Sequence, residues 1–313
     1  MNTDGLRQRI QDFLGVGKHE HSPEYSILSE EVCDGYTRQG IRYTGSEGEP
    51  IPAYLLVPDG EGPFPALVAH HQHNGERHLG KSEICGLVGD PLQAFGPALV
   101  KRGLLVLAPD SICFEERRRK ASGTVPGEND YARHLNEMCY RIVQGTTLMK
   151  KVLDDAAAGI ALLSHFENVD SRRVGAFGHS YGGNTVLFQS ALDERIAFAC
   201  SSGAACTYKT KMAEGTGIEF AETIPGFAEK FDIDDLVKCI APRPLLLVSA
   251  EQDKFTRDAE KIVARSRETY DHLGVGDRLE HKRYPGGHPL TREMFTDIVE
   301  WLTLASGQID KGS

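Results

Sequence analysis

The sequence predicts an α/β fold with a mostly parallel central sheet, an antiparallel N-terminal edge and helices on both faces. Two observations carry this. From about residue 60 onward, apolar runs bounded by turn residues alternate with longer stretches of helical period, the pattern of repeated βαβ units. Before that point, the segments 24–33, 37–44 and 51–57 read as strands of an antiparallel edge, preceded by a short amphipathic helix near 4–14.

The remaining elements follow in order. FPALVAHH (64–71) is an apolar strand of the buried type, followed by a glycine-rich loop, a helical stretch around 91–101 and the apolar strand LLVLAP. Residues 131–166 read as a helix that breaks or bends near Gly145, and its later part, LMKKVLDDAAAGIALL, carries apolar residues on a helical period. Then come the strand RVGAFG (173–178), a helix from Tyr181 and the strand IAFACS (196–201). A long connection leads to PLLLVSA (244–250), a helix from about 257, a short strand at 279–284 and a closing helix from about 290. We expect one catalytic domain over 50–305, with 1–49 packed on it as helix and edge strands and 306–313 as a tail.

Composition limits the partners. A net charge of -10 leaves no general basic face for nucleic acid or an anionic membrane surface. The 40% hydrophobic content suits a soluble chain with a sizeable core, and no apolar run reaches the length of a membrane span. The cysteines at 33, 85, 113, 139, 200, 206 and 239 form no CxxC pair, and the N-terminus lacks the apolar stretch of a signal peptide. A reducing cytoplasm is the expected location. The oligomeric state is left open.

The chemistry centres on GHSYGG (178–183). In a chain with 33 glycines the pattern G-x-S-x-G is weak alone, but here it stands where an apolar strand ends and a helix begins. That turn needs small residues two before and two after the serine, met by Gly178 and Gly182, and it puts Ser180 at a helix N-terminus that favours a negative oxygen. A hydroxyl needs a base oriented by a third group. In the order Ser, acid, His, the loop after PLLLVSA offers Glu251 and Asp253, and the loop after Tyr284 offers His288. Asp253 lies deeper in its loop and is preferred, with Glu251 as the alternative. His288 follows Pro285, Gly286 and Gly287, whereas its rival His281 sits inside a strand whose pleat fixes its direction. Such a base predicts activity that falls below a pH near the ordinary imidazole pKa of about 6.5.

An oxyanion hole requires two N–H donors. Tyr181 supplies one, and HHQHNGE (70–76) supplies the other, placed at His73 with Gln72 as the alternative. The histidines at 70, 71, 73 and 78 invite a metal reading, which we set aside because no carboxylate or cysteine pattern completes a site. No metal or organic cofactor is expected.

From about 50 to 305 the chain resembles the dienelactone hydrolase and acetyl xylan esterase-like branch of the α/β-hydrolase superfamily. The stretches that carry the likeness are HHQHNGE, RGLLVLAPD (102–110), VDSRRVGAFGHSYGG (169–183), IAPRPLLLVSAEQD (240–253) and YPGGH (284–288). The resemblance implies an α/β-hydrolase fold, Ser180, Asp253 and His288 as a catalytic triad, and a small-molecule ester, lactone or acetyl ester as substrate. One departure stands out: His71-Gln72 occupies the place where relatives carry His-Gly. A prolyl-oligopeptidase-like peptidase or amidase is the runner-up, though no propeller-sized N-terminal domain is visible, and a non-catalytic hydrolase-fold protein is a third reading.

Two segments, 110–130 and 203–240, are expected to cover the site. In the first, Arg117, Arg118, Arg119 and Lys120 suggest either an anion site or, preferably, a solvated helix face paired internally with Glu115 and Glu116. Lys81 and Glu83 could reach the pocket or water. Phe220, Phe227 and Phe231 suggest an apolar wall or ordinary core packing.

Overall fold

The computed structural model describes residues 3–17 and 21–308. Among them nine strands form one sheet: β1 (Tyr25–Cys33), β2 (Tyr36–Thr44), β3 (Pro50–Pro58), β4 (Phe64–His70), β5 (Leu105–Pro109), β6 (Val169–His179), β7 (Phe198–Ser202), β8 (Leu245–Ala250) and β9 (Leu279–Tyr284). Their order is β1-β2-β3-β5-β4-β6-β7-β8-β9. β1, β2 and β3 join antiparallel, β3 joins β5 antiparallel, and every pairing from β5 to β9 is parallel.

The helices are α1 (Thr3–Leu14), α2 (Lys81–Ile84), α3 (Phe95–Val100), α4 (Asp130–Val143), α5 (Leu148–His165), α6 (Tyr181–Leu192), α7 (Tyr208–Glu214), α8 (Phe227–Lys230), α9 (Ile233–Ile240), α10 (Ala259–His272) and α11 (Arg292–Gln308). Parallel strands must be covered on both faces, and this explains their uninterrupted apolar runs. One core cluster joins the sheet to α1, α5, α6, α9 and α10; a second joins the opposite face to α3 and α11. Every residue of α6 is buried, so the helix shows no polar stripe. At the free antiparallel edge, β1 is exposed along nearly its whole length. Its glutamates and an irregularity between Ile27 and Ser29 discourage pairing with another chain.

The expected elements are present, with three refinements. The long helix is two helices: Gly145 takes φ +77° after α4, and Thr147 restarts the chain by accepting the Lys150 N–H on its side chain. The connection 203–240 contains α7, α8 and α9, and α9 belongs to the helix layer, seated among α1, α6 and α10. The closing helix runs to Gln308, past the expected boundary at 305, and the rest of the expected tail lies outside the described residues. No described helix is long and apolar enough to cross a membrane.

Candidate active site

Three loops at the carboxyl ends of the parallel strands converge on Ser180. The serine stands between the end of β6 and the start of α6 with φ +57° and ψ −117°, a conformation that costs energy in an L-residue and persists only where neighbours impose it. Its N–H donates to the Ser202 carbonyl at 2.8 Å, which ties the turn to β7. The flanking glycines are steric requirements. A Cβ on Gly178 would lie 2.3 Å from the Gly182 carbonyl carbon, and one on Gly182 would lie 2.3 Å from the His70 carbonyl oxygen. We expect Gly182→Ala to destabilise the fold by about 1–3 kcal/mol through forced backbone displacement. Gly217→Ala, whose added methyl meets nothing within 4 Å, should stay within roughly 0.5 kcal/mol of the parent. Equal thermal midpoints for the two variants would contradict this account of the turn.

Ser180 Oγ lies 2.7 Å from Nε2 of His288, and Nδ1 of His288 lies 3.0 Å from Oδ2 of Asp253. With the ring in the Nδ1–H tautomer, Asp253 accepts a proton bond on one side and Nε2 offers a lone pair to the serine hydroxyl on the other. Asp253 is buried, and its other oxygen accepts the Phe255 N–H at 2.9 Å. Burial alone would raise its pKa, but the hydrogen bond and charge of His288 with the donors of the following turn hold the carboxyl below its usual range. Phe255 packs edge-on against the His288 ring at 4.9 Å and His179 tilts against it at 5.1 Å, so the imidazole is gripped from two sides. Burial, then the neighbouring His288, pushes His179 down to about 3, leaving it neutral and hydrogen-bonded to Ser202.

The alternatives fall elsewhere. Glu251 is exposed, and among the described residues its carboxylate meets no partner, while its backbone N–H donates to the Tyr284 carbonyl. His281 of β9 is held by Ser249 of the neighbouring strand β8, with Nε2 2.8 Å from the hydroxyl.

The loop after β4 is fixed from three directions. The Ser111 N–H donates to Nε2 of His71, while Nδ1–H of that ring donates to the Gln72 carbonyl. The Gln72 side chain turns back to give a hydrogen bond to Glu83 at 3.1 Å. Among the described residues, the N–H groups of Gln72, His73 and Tyr181 have no protein acceptor. Beneath this loop, Lys81 is buried against Asp110, Glu115 and Glu116 at 2.8, 2.5 and 2.8 Å. Neither the pocket nor water is its destination, and Glu83 is likewise buried.

A cavity of about 300 Å³ opens over Ser180 and His288, walled by His73, Tyr181, Lys211, Glu219, Glu222 and Phe255 among others. The covering segment that reaches it is the stretch from Gly203 to Glu222. Segment 110–130 lies behind it: Phe114 packs on the rings of His71, His73 and Tyr181, and Ser111 hydrogen-bonds the Tyr181 hydroxyl. The basic run differs from a solvated helix face. Arg117 and Arg118 are largely buried, paired with Glu49 and Asp155 and with Asp130, while Arg119 reaches Glu137. Partners distant in sequence, not the adjacent glutamates, neutralise it. Phe227 and Phe231 belong to the core beside Phe13, so the apolar wall reading fails for them. Phe220 packs edge-on against His134.

Sequence reasoning did not single out Glu219, which lines the cavity with His73, or His134, which is buried beside them. Nothing in their spacing, 73, 134 and 219, links them before the chain is folded.

This sheet order, with its strand-serine-helix turn, is the fold of the α/β-hydrolase superfamily. The dienelactone hydrolase family matches residues 51–286, and the chain belongs to that family. YtaP of Bacillus subtilis (strain 168), named as a hydrolase without a stated substrate, is 28% identical over 262 residues, covering 81% of this chain and 83% of its own. Solved structures of similar fold include BF1801 of Bacteroides fragilis NCTC 9343, named as an acetyl xylan esterase, with a TM-score of 0.74 at 17% identity over 90% of this chain and 74% of that one. Another is a glucuronoyl esterase from Solibacter usitatus, with a TM-score of 0.66 at 16% identity over 96% and 91% of the two chains. Family membership supports a hydrolase of carboxylic esters as the class of enzyme.

Proposed function

We propose that this chain hydrolyses a small carboxylic ester in two steps through an acyl-enzyme on Ser180. Ser180 Oγ attacks the ester carbonyl as His288 Nε2 takes its proton, and Asp253 stabilises the imidazolium that forms. The negative oxygen rests on the N–H of Tyr181 and on that of His73, or of Gln72 in its place. Collapse breaks the bond to the alcohol, which leaves with the proton held by His288. Water then gives its proton to His288 and attacks the acyl carbonyl, and the proton returns to Ser180 as the acid departs. The stretch 203–222 selects the substrate, because it walls the cavity at the reacting atoms.

The observation that carries this reading is the unbroken contact from Ser180 Oγ through His288 to Asp253, at 2.7 and 3.0 Å, on a serine held at positive φ. A fluorophosphonate probe should label the protein at Ser180, and short-chain nitrophenyl esters should turn over. Asp253→Asn should lower kcat by roughly 10⁴-fold, since the amide favours the wrong imidazole tautomer, whereas Glu251→Gln should change it by less than about twofold. Labelling at another residue, or equal effects of the two substitutions, would remove the assignment; cleavage of peptides without ester turnover would favour a peptidase.

A further inference from the structure

Among the described residues, three buried side-chain atoms beside the cavity have no hydrogen-bond partner: Nε2 of His73 and Oε1 of Glu219, whose residues line it, and Nε2 of His134, a fully buried residue next to them. They come from three separate parts of the chain, the loop after β4, the helix α4 and the stretch between α7 and α8. A ligand atom from each of these residues lies within 4.8 Å of the others. Unpaired buried polar atoms are costly one by one, and three facing one another form a set of groups that a ligand would satisfy together.

Two histidines and a carboxylate could suggest a metal ion, but the protons argue otherwise. The Gly75 N–H donates to Nδ1 of His73 at 3.1 Å, and Nε–H of Arg77 donates to Nδ1 of His134 at 3.2 Å. In each neutral ring the Nδ1 lone pair is therefore in use and the proton is carried by Nε2, so both inward-facing nitrogens are donors. Metal-ligating histidines show the reverse arrangement, with the outer nitrogen giving its proton away. The Arg77 guanidinium bound to one of the rings also opposes a cation. Burial first, and Arg77 next, keeps His73 at about 3 and His134 well below its ordinary value, so neither ring carries charge.

Burial first, and the charge of Glu222 next, raises Glu219 to about 7; above that pH its carboxylate accepts, and two N–H donors with one acceptor match a single neutral group: an alcohol oxygen that accepts twice and donates once. We propose that His73, His134 and Glu219 form a subsite for a free hydroxyl of the substrate, so that the protein selects esters of diols or polyols over plain alkyl esters. His73 and Glu219 line the cavity over Ser180 and His288 and His134 is buried beside them, so this hydroxyl would be reached from the cavity that receives the scissile bond. Phe220, edge-on to His134 at 5.0 Å, and Phe114, edge-on to it at 5.2 Å, pack against that ring and limit its movement. For its kinetic readout the proposal rests on the esterase reading above.

The test compares monoacetates of diols of increasing chain length, each against the alkyl acetate of equal length. For the best-fitting length, kcat/KM should favour the diol ester. That ratio should fall roughly 10- to 100-fold in Glu219→Met and in His134→Phe, the cost of leaving a buried hydrogen-bonding partner unsatisfied, with Glu219→Gln in between. A ratio unchanged in both Glu219→Met and His134→Phe, with ester turnover continuing, overturns the subsite. Should neither ester be hydrolysed, the esterase reading fails separately. Calorimetric binding of the same pairs then decides: a preference for the diol ester that is lost in Glu219→Met upholds the subsite, and equal affinity overturns it. Metal analysis of the purified protein supplies the last arm. One equivalent of a transition metal, released by Glu219→Met, would replace the hydroxyl with an ion and overturn the proposal.

Discussion

Ser180→Ala should reduce kcat by roughly four to six orders of magnitude and abolish fluorophosphonate labelling, without loss of thermal stability. The substitution removes a single oxygen. The backbone strain at φ +57° is the same for alanine as for serine, and the N–H bond to Ser202 does not involve the side chain. What disappears is the nucleophile on which the other groups converge, so the remaining N–H donors and the cavity can only bind and polarise the ester. Substrate affinity should therefore survive in the variant, measurable by calorimetry. Retention of more than about a hundredth of the parent rate would mean that a different group attacks the carbonyl.

The reasons this site could be read in advance are local. Gly178, Ser180 and Gly182 are demanded by a turn whose sterics are written in consecutive residues, and Asp253 and His288 follow apolar strands that announce themselves by composition. The parallel strands were legible for the same reason: burial on both faces leaves no polar alternation to confuse the pattern. The helices between 203 and 240 were not, because α7 and α8 are short and flanked by glycines that look like loop. Side-chain networks were the least accessible. Lys81 reads as a side chain for the pocket or for water until β5 delivers Asp110 beneath it, and nothing marks Glu219 until the fold brings His134 of α4 alongside. The metal reading was set aside for want of a carboxylate in the histidine loop; the fold supplies that carboxylate, Glu219, from far along the chain, and the proton positions become the deciding argument.

Lys81→Met should lower stability by about 3–5 kcal/mol at neutral pH and above, a fall in the thermal midpoint on the order of 10 °C. The ammonium is buried among three carboxylates, and its backbone N–H also donates to Asp110 at 2.8 Å. Burial would lower the lysine pKa, but the charges and hydrogen bonds of Asp110 and Glu115 hold it above its usual range. Asp110 itself lies above the usual carboxylate range, from burial first and the charge of Glu115 next, because two buried acids share one cation. Without Lys81 these acids are left unpaired, and the folded-state pKa of Asp110 rises further. A raised carboxyl contributes stability below its unfolded pKa, near 4, and loses that contribution as pH climbs through the folded value. The deficit of Lys81→Met should therefore shrink between pH 8 and pH 5, and adding Asp110→Asn and Glu115→Gln should recover much of it. A deficit independent of pH would mean that lost packing of the lysine stem, not stranded charge, governs the loop after β4.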